Sequence, residues 1–184
     1  MDLPQVHSTT AIYTIGHSNH PFETFLKMLK THEVRLVVDV RTIPRSRHNP
    51  QFNTDILSPA LKTEGLDYRH LPALGGLRHA KKDSLNRGWK NDSFRGFADY
   101  MQTDGFAAGI AELMAIGLEQ RTAVMCAEAL PWRCHRSLIA DALLVRGLTV
   151  MHIMSRTSAK EHALTPWAAV HGTVIIYPQN IGPA

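Results

Sequence analysis

The sequence predicts an α/β fold, a single three-layer domain over residues 1–184 with a mostly parallel sheet and helices on both faces. Three observations point to it. Short β-branched runs at 11–17, 35–40, 122–127 and 149–154 read as strands of one sheet. Between them lie stretches whose apolar residues recur at helical spacing, and alternation of strand and helix is the pattern of parallel α/β folds. The chain of 184 residues is 44% hydrophobic and 20% charged. That is an ordinary globular composition, in a chain long enough to bury a core without staples.

The elements follow in order. AIYTIGHS (11–18) is a buried strand that stops at Gly16. PFETFLKMLKTH (21–32) spaces Phe22, Phe25, Leu26 and Leu29 along a helix, with Pro21 in its first turn and Glu23 beside it. VRLVVDV (34–40) is a strand ending in an Arg- and Pro-rich loop. NTDILSPALKTEG (53–65) predicts a helix pair, or one helix broken at Pro59. LDYRHLPAL (66–74) alternates as a strand does and ends at Gly75-Gly76, most simply a turn that needs positive φ. Residues 77–92 read as a basic loop. Helices follow at 93–102 and 104–120, then a strand at 122–127. CHRSLIADALLVRG (134–147) predicts a helix stopped by Gly147, and LTVMHIMS (148–155) a last clear strand. The core is expected within about 11–155. The tail 156–184 reads as irregular, apart from TVIIYP (173–178) as a short edge strand.

The net charge is +4, and no run approaches the ~18 apolar residues of a membrane span. MDLPQVHSTT at the start lacks the apolar stretch of a secretory leader. A cytoplasmic location without membrane association is therefore expected. Two cysteines in such a compartment are more often catalytic or metal-ligating than structural disulfides. Arg41, Arg45, Arg47 and His48 form one basic cluster, and Arg78, His79, Lys81 and Lys82 another. Such clusters attract anions, although on charge alone a solvated loop is the simpler reading.

Ligands of parallel α/β sheets bind outside the carboxyl ends of the strands. The polar residues collected there are His17 and Ser18 after the first strand; Asp39, Arg41 and Ser46 after the second; Gly75 and Gly76 after the third. Cys126, Glu128, Cys134, His135 and Arg136 follow the strand at 122–127. Each also has a plain structural role open to it. Asp39 could simply pair with Arg41, His17 could be a core histidine, and Cys126 on a buried strand could be a small apolar residue. Cys134 stands apart. Placed at a helix N-terminus, beside His135 and between Arg133 and Arg136, it is in surroundings that favour the thiolate. Cys126, Glu128, Cys134 and His135 together offer sulfur, oxygen and nitrogen ligands, but C-x7-C is not a common zinc spacing, so no metal is assigned. The C-x5-R signature of cysteine phosphatases is absent around both thiols.

Taken together, YTIGHSNHPFETFLKML, LVVDVRTIPRSR, YRHLPALGGLR and CAEALPWRCHRSLIADALLVRG resemble the family catalogued as domain of unknown function 488, over about residues 11–155. The resemblance implies a compact α/β domain with no settled activity. Its signature positions fall on His17, Ser18, Asp39, Arg41, Pro44, Ser46, Gly75, Gly76, Cys126, Glu128, Cys134, His135 and Arg136. VVDVR is also similar to the strand that opens rhodanese domains. The ten residues from Cys126 to Arg136 make too long a loop for a rhodanese active site, so the likeness stays an analogy.

Three functions remain open on the sequence. The first is a thiol-dependent enzyme acting on a phosphate-, sulfur- or carboxylate-bearing substrate. In it Cys134 is nucleophile or sulfur carrier, His135 or His17 the base, and Asp39 or Glu128 the group that orients a base or an arginine. Arg41, Ser46, Gly75, Gly76, Arg136, Ser18 and Cys126 then surround the substrate. The second is a non-catalytic nucleotide- or nucleic-acid-binding module, for which the basic loops with Trp89 and Phe94 nearby are the supporting feature. The third is a metal-binding domain. The expected partner is an anionic small molecule or nucleotide, with nucleic acid as the alternative. The cofactor and the oligomeric state are not readable.

Overall fold

The computed structural model describes residues 11–179. The N-terminal decapeptide, expected to carry no leader, and residues 180–184 of the tail lie outside the described residues. Five strands run parallel at the heart of the chain: β1 (Ile12–Gly16), β2 (Leu36–Asp39), β3 (Asp67–His70), β4 (Thr122–Cys126) and β5 (Val150–Ile153). A short β6 (Ala159–Glu161) adds antiparallel to β5, giving the order β3-β2-β4-β1-β5-β6. All four runs read as strands from their β-branched composition lie in this sheet.

Successive strand residues point to opposite faces, and the sequence supplies apolar side chains for both. Val37, Ala123, Met125, Ile15 and Ile153 face α1 (Phe22–Thr31) and α2 (Thr54–Thr63), packing with Phe25, Leu29, Leu57 and Leu61. Val38, Val124, Ile12 and Val150 face the other way, with Phe97, Phe106, Ile110, Leu113, Leu138 and Leu143. These come from α3 (Asp92–Tyr100), α4 (Asp104–Glu119) and α5 (Arg136–Leu144). The result is the three-layer α/β arrangement expected. The caps are local: the Asn91 side chain accepts from the Ser93 and Phe94 amides, and the Thr103 hydroxyl from the Phe106 amide. Among the described residues, no helix is long and apolar enough to cross a membrane.

Three expectations need correction. α2 is not broken at Pro59. Leu57 and Leu61, both fully buried, anchor the helix on either side, so packing outweighs the hydrogen bond that proline cannot donate. The helix expected from Cys134 starts only at Arg136. Pro131 opens a 3-10 turn over Pro131–Arg133, and Cys134 is extended at φ −137°, ψ 146°, ahead of the helix. Through residue 179 the tail is also more regular than expected, beyond the short strand read at 173–178. After β6 it forms a hairpin of β7 (Ala169–His171) and β8 (Val174–Ile176), and Tyr177 is fully buried in the core.

Asp141 of α5 explains why the tail is ordered. Its carboxylate, fully buried, accepts from His162 Nε2 at 2.8 Å, the Thr165 amide at 3.0 Å, the Thr165 hydroxyl at 2.7 Å and the Tyr177 hydroxyl at 2.8 Å. All four donors belong to the tail. The network continues inward. His162 Nδ1 and His152 Nε2 lie 3.0 Å apart, and His152 Nδ1 lies 2.7 Å from the Thr14 hydroxyl. Arg136 NH1 donates to that hydroxyl at 3.3 Å. Asp141 and Arg136 are thus the two charged ends of one buried polar chain.

Asp141→Asn replaces a lone pair with a donor in a ring of donors, so it should destabilise the fold by about 3 kcal/mol. The same change should speed amide hydrogen exchange over residues 159–178 before it affects β1 or β4; equal protection in both regions would contradict the role given to Asp141. Burial, then His162 and Arg136, lower the pKa of His152 to about 3. Below pH 6.5 the unfolded chain takes a proton that the folded chain refuses, so stability should fall as pH drops from 6.5 towards 3. The slope is at most about 1.4 kcal/mol per pH unit for this one group. Thermal melts at pH 7 to 5 test this, with His152→Asn expected to flatten the profile.

Candidate functional site

The site forms where the carboxyl ends of β1 and β4 run on beyond the sheet. The His17 amide donates to the Cys126 carbonyl and the Ser18 amide to the Ala127 carbonyl, both at 2.9 Å. This approach requires Gly16: a Cβ there would overlap the Glu128 carbonyl oxygen. The next residues turn sharply, with Ser18 at φ 49°. Arg136 locks the far side of the crossing. Its NH2 donates to the carbonyls of Glu128 at 2.5 Å and Ala129 at 3.3 Å. The chain then returns through the 3-10 turn and delivers Cys134 and His135 back to Cys126.

The thiol sulfurs of Cys126 and Cys134 and a ring nitrogen of His135 all lie within 4.8 Å of one another. Cys134 Sγ is 3.6 Å from His135 Nδ1. The hydrogen bond from Cys126 holds the Cys134 thiol well below its usual pKa, and His135 and Arg136 add to this against the opposing effect of burial. Cys126 is pushed the other way, by that same hydrogen bond and by burial, and keeps its proton. Arg136 matters because it is 1% exposed and has no carboxylate partner among the described residues; its Nε has no partner there either. A buried guanidinium without a counter-charge favours an anion beside it, and the Cys134 sulfur is near enough for this cation to lower its pKa.

Arg41 is different, because its charge is matched. Asp39, fully buried, accepts from Arg41 Nε at 2.9 Å, from NH2 at 2.5 Å and from the Arg41 amide at 3.0 Å. The Tyr68 hydroxyl donates to the same carboxylate at 2.7 Å. Arg41 NH2 also donates to the Phe52 carbonyl, and His70 Nε2 donates to the Arg41 carbonyl. Its NH1 lies 3.2 Å from His17 Nε2. His17 Nδ1 donates to the Ser18 carbonyl at 2.8 Å, which leaves Nε2 as the acceptor from Arg41. Burial, with the nearby Arg41 and Arg136 charges, lowers the His17 pKa to about 4. His17 is therefore neutral at pH 7, and both ring nitrogens are engaged.

These groups open on a cavity of about 620 Å³. His17, Ser18, Arg41, Ser46, Gly76, Cys126, Glu128, Cys134 and His135 all line it, as collected from the strand ends. Asp39 stands behind Arg41, and Arg136 behind the 127–129 loop, so neither reaches the cavity. Arg136, expected among the substrate-binding residues, does not line the cavity: its NH1 and NH2 are tied to Thr14 and to main-chain carbonyls, and its charge lowers the Cys134 pKa. The Glu128 carboxylate, a candidate to orient a base or an arginine, accepts from the Ala129 amide. Ser46 shapes its loop, its hydroxyl accepting from the Asn49 amide. Neither Gly75 nor Gly76 has positive φ. They are needed for close approach, since a Cβ on Gly76 would lie 2.5 Å from His135 Nδ1 and one on Gly75 2.5 Å from the Thr42 hydroxyl. Sequence reasoning leaves Thr42, Asn49, Leu77 and Ser93 out of the wall. No motif marks them; only the folding of the 41–49 and 77–93 loops brings them in.

Cys126, Cys134 and His135 could hold one soft metal ion. A tetrahedral zinc with bonds of about 2.3 Å to sulfur and 2.0–2.1 Å to nitrogen separates those ligand atoms by about 3.6 Å, the spacing seen between Cys134 and His135. The uncommon C-x7-C spacing in sequence is thus no obstacle in space, because the 3-10 turn closes the loop between the cysteines.

No curated protein and no solved structure matches the chain. The family model described as domain of unknown function DUF488 matches residues 21–143, more than half of the chain. The matched span carries Asp39, Arg41, Gly75, Gly76, both cysteines, His135 and Arg136, while His17 and Ser18 precede it. With the wall of the cavity drawn so largely from the matched segment, the chain belongs to the DUF488 family.

Proposed function

We propose that the protein is an enzyme in which the Cys134 thiolate acts on an anionic substrate bearing phosphate, sulfur or carboxylate. The observation that carries this reading is Arg136, a buried cation with no carboxylate partner among the described residues, set behind a thiol in an open cavity. The sulfur is the nucleophile: it forms a bond to the electrophilic atom of the substrate as the bond from that atom to the leaving group breaks. His135, whose Nδ1 faces that sulfur, carries the proton to the leaving group; His17 has no free lone pair for the task. Arg41 NH1, its guanidinium fixed by Asp39, donates to the substrate's anionic group, and the exposed Arg133 at the rim adds unmatched positive charge. Two free thiols so close together suit a reducing compartment, which supports a cytoplasmic location.

A second reading is favoured by one observation, the mutual distances of Cys126, Cys134 and His135. Three protein ligands beside an open cavity are the arrangement of catalytic zinc sites. In that case Cys126, Cys134 and His135 would hold the metal, the sulfurs would serve as ligands and not as nucleophiles, and the metal would supply Lewis-acid chemistry at the cavity.

Iodoacetamide separates the two readings. In the thiolate reading, Cys134 labels rapidly at pH 7, Cys126 does not, and the rate against pH has its midpoint well below the ~8.5 of a free thiol. Arg136→Gln should move that midpoint upward and Arg136→Lys should largely restore it; a midpoint near 8.5 in the wild type removes the thiolate. In the zinc reading, one equivalent of metal accompanies the purified protein, labelling begins only after chelation, and Cys126→Ser loses the metal. Thermal-shift titration with phosphate and sulfate should stabilise the wild type beyond a salt-matched chloride control. Arg41→Lys, which keeps the charge but not the fork, should weaken that binding about tenfold.

A further inference from the structure

Next to the thiol cavity lies a second hollow of about 880 Å³, walled by the 77–87 loop and the start of α3. The two meet at Leu77 and Ser93, which line both. The hollow gathers Arg78, Lys81, Lys82, Arg87 and Arg95 against one carboxylate, Asp92. Arg95 already pairs with Asp92. Arg78 donates to the carbonyls of Gly75 and Ala73 and lies over the Tyr100 ring. Lys81, Lys82 and Arg87 are exposed and have no ion-pair partner among the described residues.

This basic loop is built into the fold rather than left in solvent. Asp99 of α3, 4% exposed, accepts from the Lys81 amide at 2.8 Å, the Ser84 hydroxyl at 2.6 Å and the Asn86 side chain at 2.8 Å. The Asn86 side chain also accepts from the Tyr177 amide at 2.9 Å. A buried carboxylate therefore fixes the path of the loop from inside while three cations point outward. The cations line a concave trough. Duplex grooves are read by convex helices or ribbons, whereas a trough of cations leading to an apolar recess suits a single strand. The recess is the thiol cavity, whose wall includes Leu77, Phe94, Ala127 and Ala129 along with the thiols. Trp89, which the sequence offers as a stacking surface, is engaged with Phe94, Trp167 and Tyr177 and does not serve.

We propose that this trough binds single-stranded nucleic acid, its phosphates along Lys81, Lys82 and Arg87 and one nucleotide directed into the thiol cavity. The proposal rests on reading that cavity as a site for an anionic substrate, and it names the substrate class. Fluorescence anisotropy with a labelled oligothymidine of about twelve nucleotides tests it across a salt series. The wild type should bind the single strand more tightly than a duplex of equal length. The K81A/K82A/R87A variant should bind at least tenfold more weakly, with a slope of log K against log salt reduced by about 2, or about 0.7 for each phosphate no longer neutralised. Lys82→Ala alone should reduce it by about 0.7. Iodoacetamide labelling of Cys134 reports the cavity separately. It should be as fast in the triple variant as in the wild type, and slower in the wild type when the oligonucleotide is bound. Equal affinity for duplex, an unchanged slope in the triple variant, or displacement of the strand by polyglutamate at matched charge overturns the proposal. Any of these with rapid Cys134 labelling leaves the thiol enzyme standing; slow labelling with the expected slopes removes the enzyme and keeps the trough.

Discussion

The site depends on one close approach. β1 lies between β4 and β5, and the chain beyond its end must cross the chain leaving β4 with no room for a side chain at Gly16. The amides of His17 and Ser18 pair with carbonyls of that second segment, and Arg136 ties the far side of the crossing to the start of α5. The placing of Cys134 beside Cys126 follows from this crossing. The sulfurs are eight residues apart in sequence and come together because the intervening loop is pinned at its middle.

The two arginines of the site illustrate what a charge does when its surroundings differ. Arg41 shares its charge with Asp39 and is held by it in one orientation, so it presents a fixed donor edge and little net field. Arg136 has hydrogen bonds to neutral oxygens and no matching charge among the described residues. The first is suited to positioning, the second to shifting an ionisation. Residue type alone does not separate these roles, because both follow strands and both read as anion ligands. The difference lies in which carboxylates stand nearby, and that is a property of the tertiary fold.

What can be read from the sequence follows the same division. β1, β2, β4 and β5 are apolar on both faces, so the strands and their common sheet are legible from composition and spacing. Their carboxyl ends name the cavity-lining residues His17, Arg41, Cys126, Cys134 and His135, because parallel sheets place ligands there. The roles of the glycines are not legible. Gly75 and Gly76 read as residues needing unusual backbone angles, when what they need is space for Thr42 and His135. Apart from TVIIYP (173–178), which reads as a strand and contains β8, the tail escapes the sequence for a similar reason. Its strands are three residues long, too short for a periodic pattern, and they are held by Asp141, whose partners lie 21 to 36 residues away.

The strand order also sets when the molecule can become itself. β1 is made first, yet Tyr13 finds its neighbours only in Ala123 and Met151. Through most of synthesis the future centre of the sheet has no partner on either edge, while β2 and β3, which pair with each other, can meet early. Pairings this far apart in sequence carry a large loop-closure cost and slow folding. The order of emergence then places the thiol cavity among the last features to form: β4 must slot between β2 and β1, and the buried chain from Arg136 to Asp141 closes only when the tail arrives. Until β4 is made, a nascent chain of this protein therefore carries β1 as an unpaired apolar strand, open to chaperone capture.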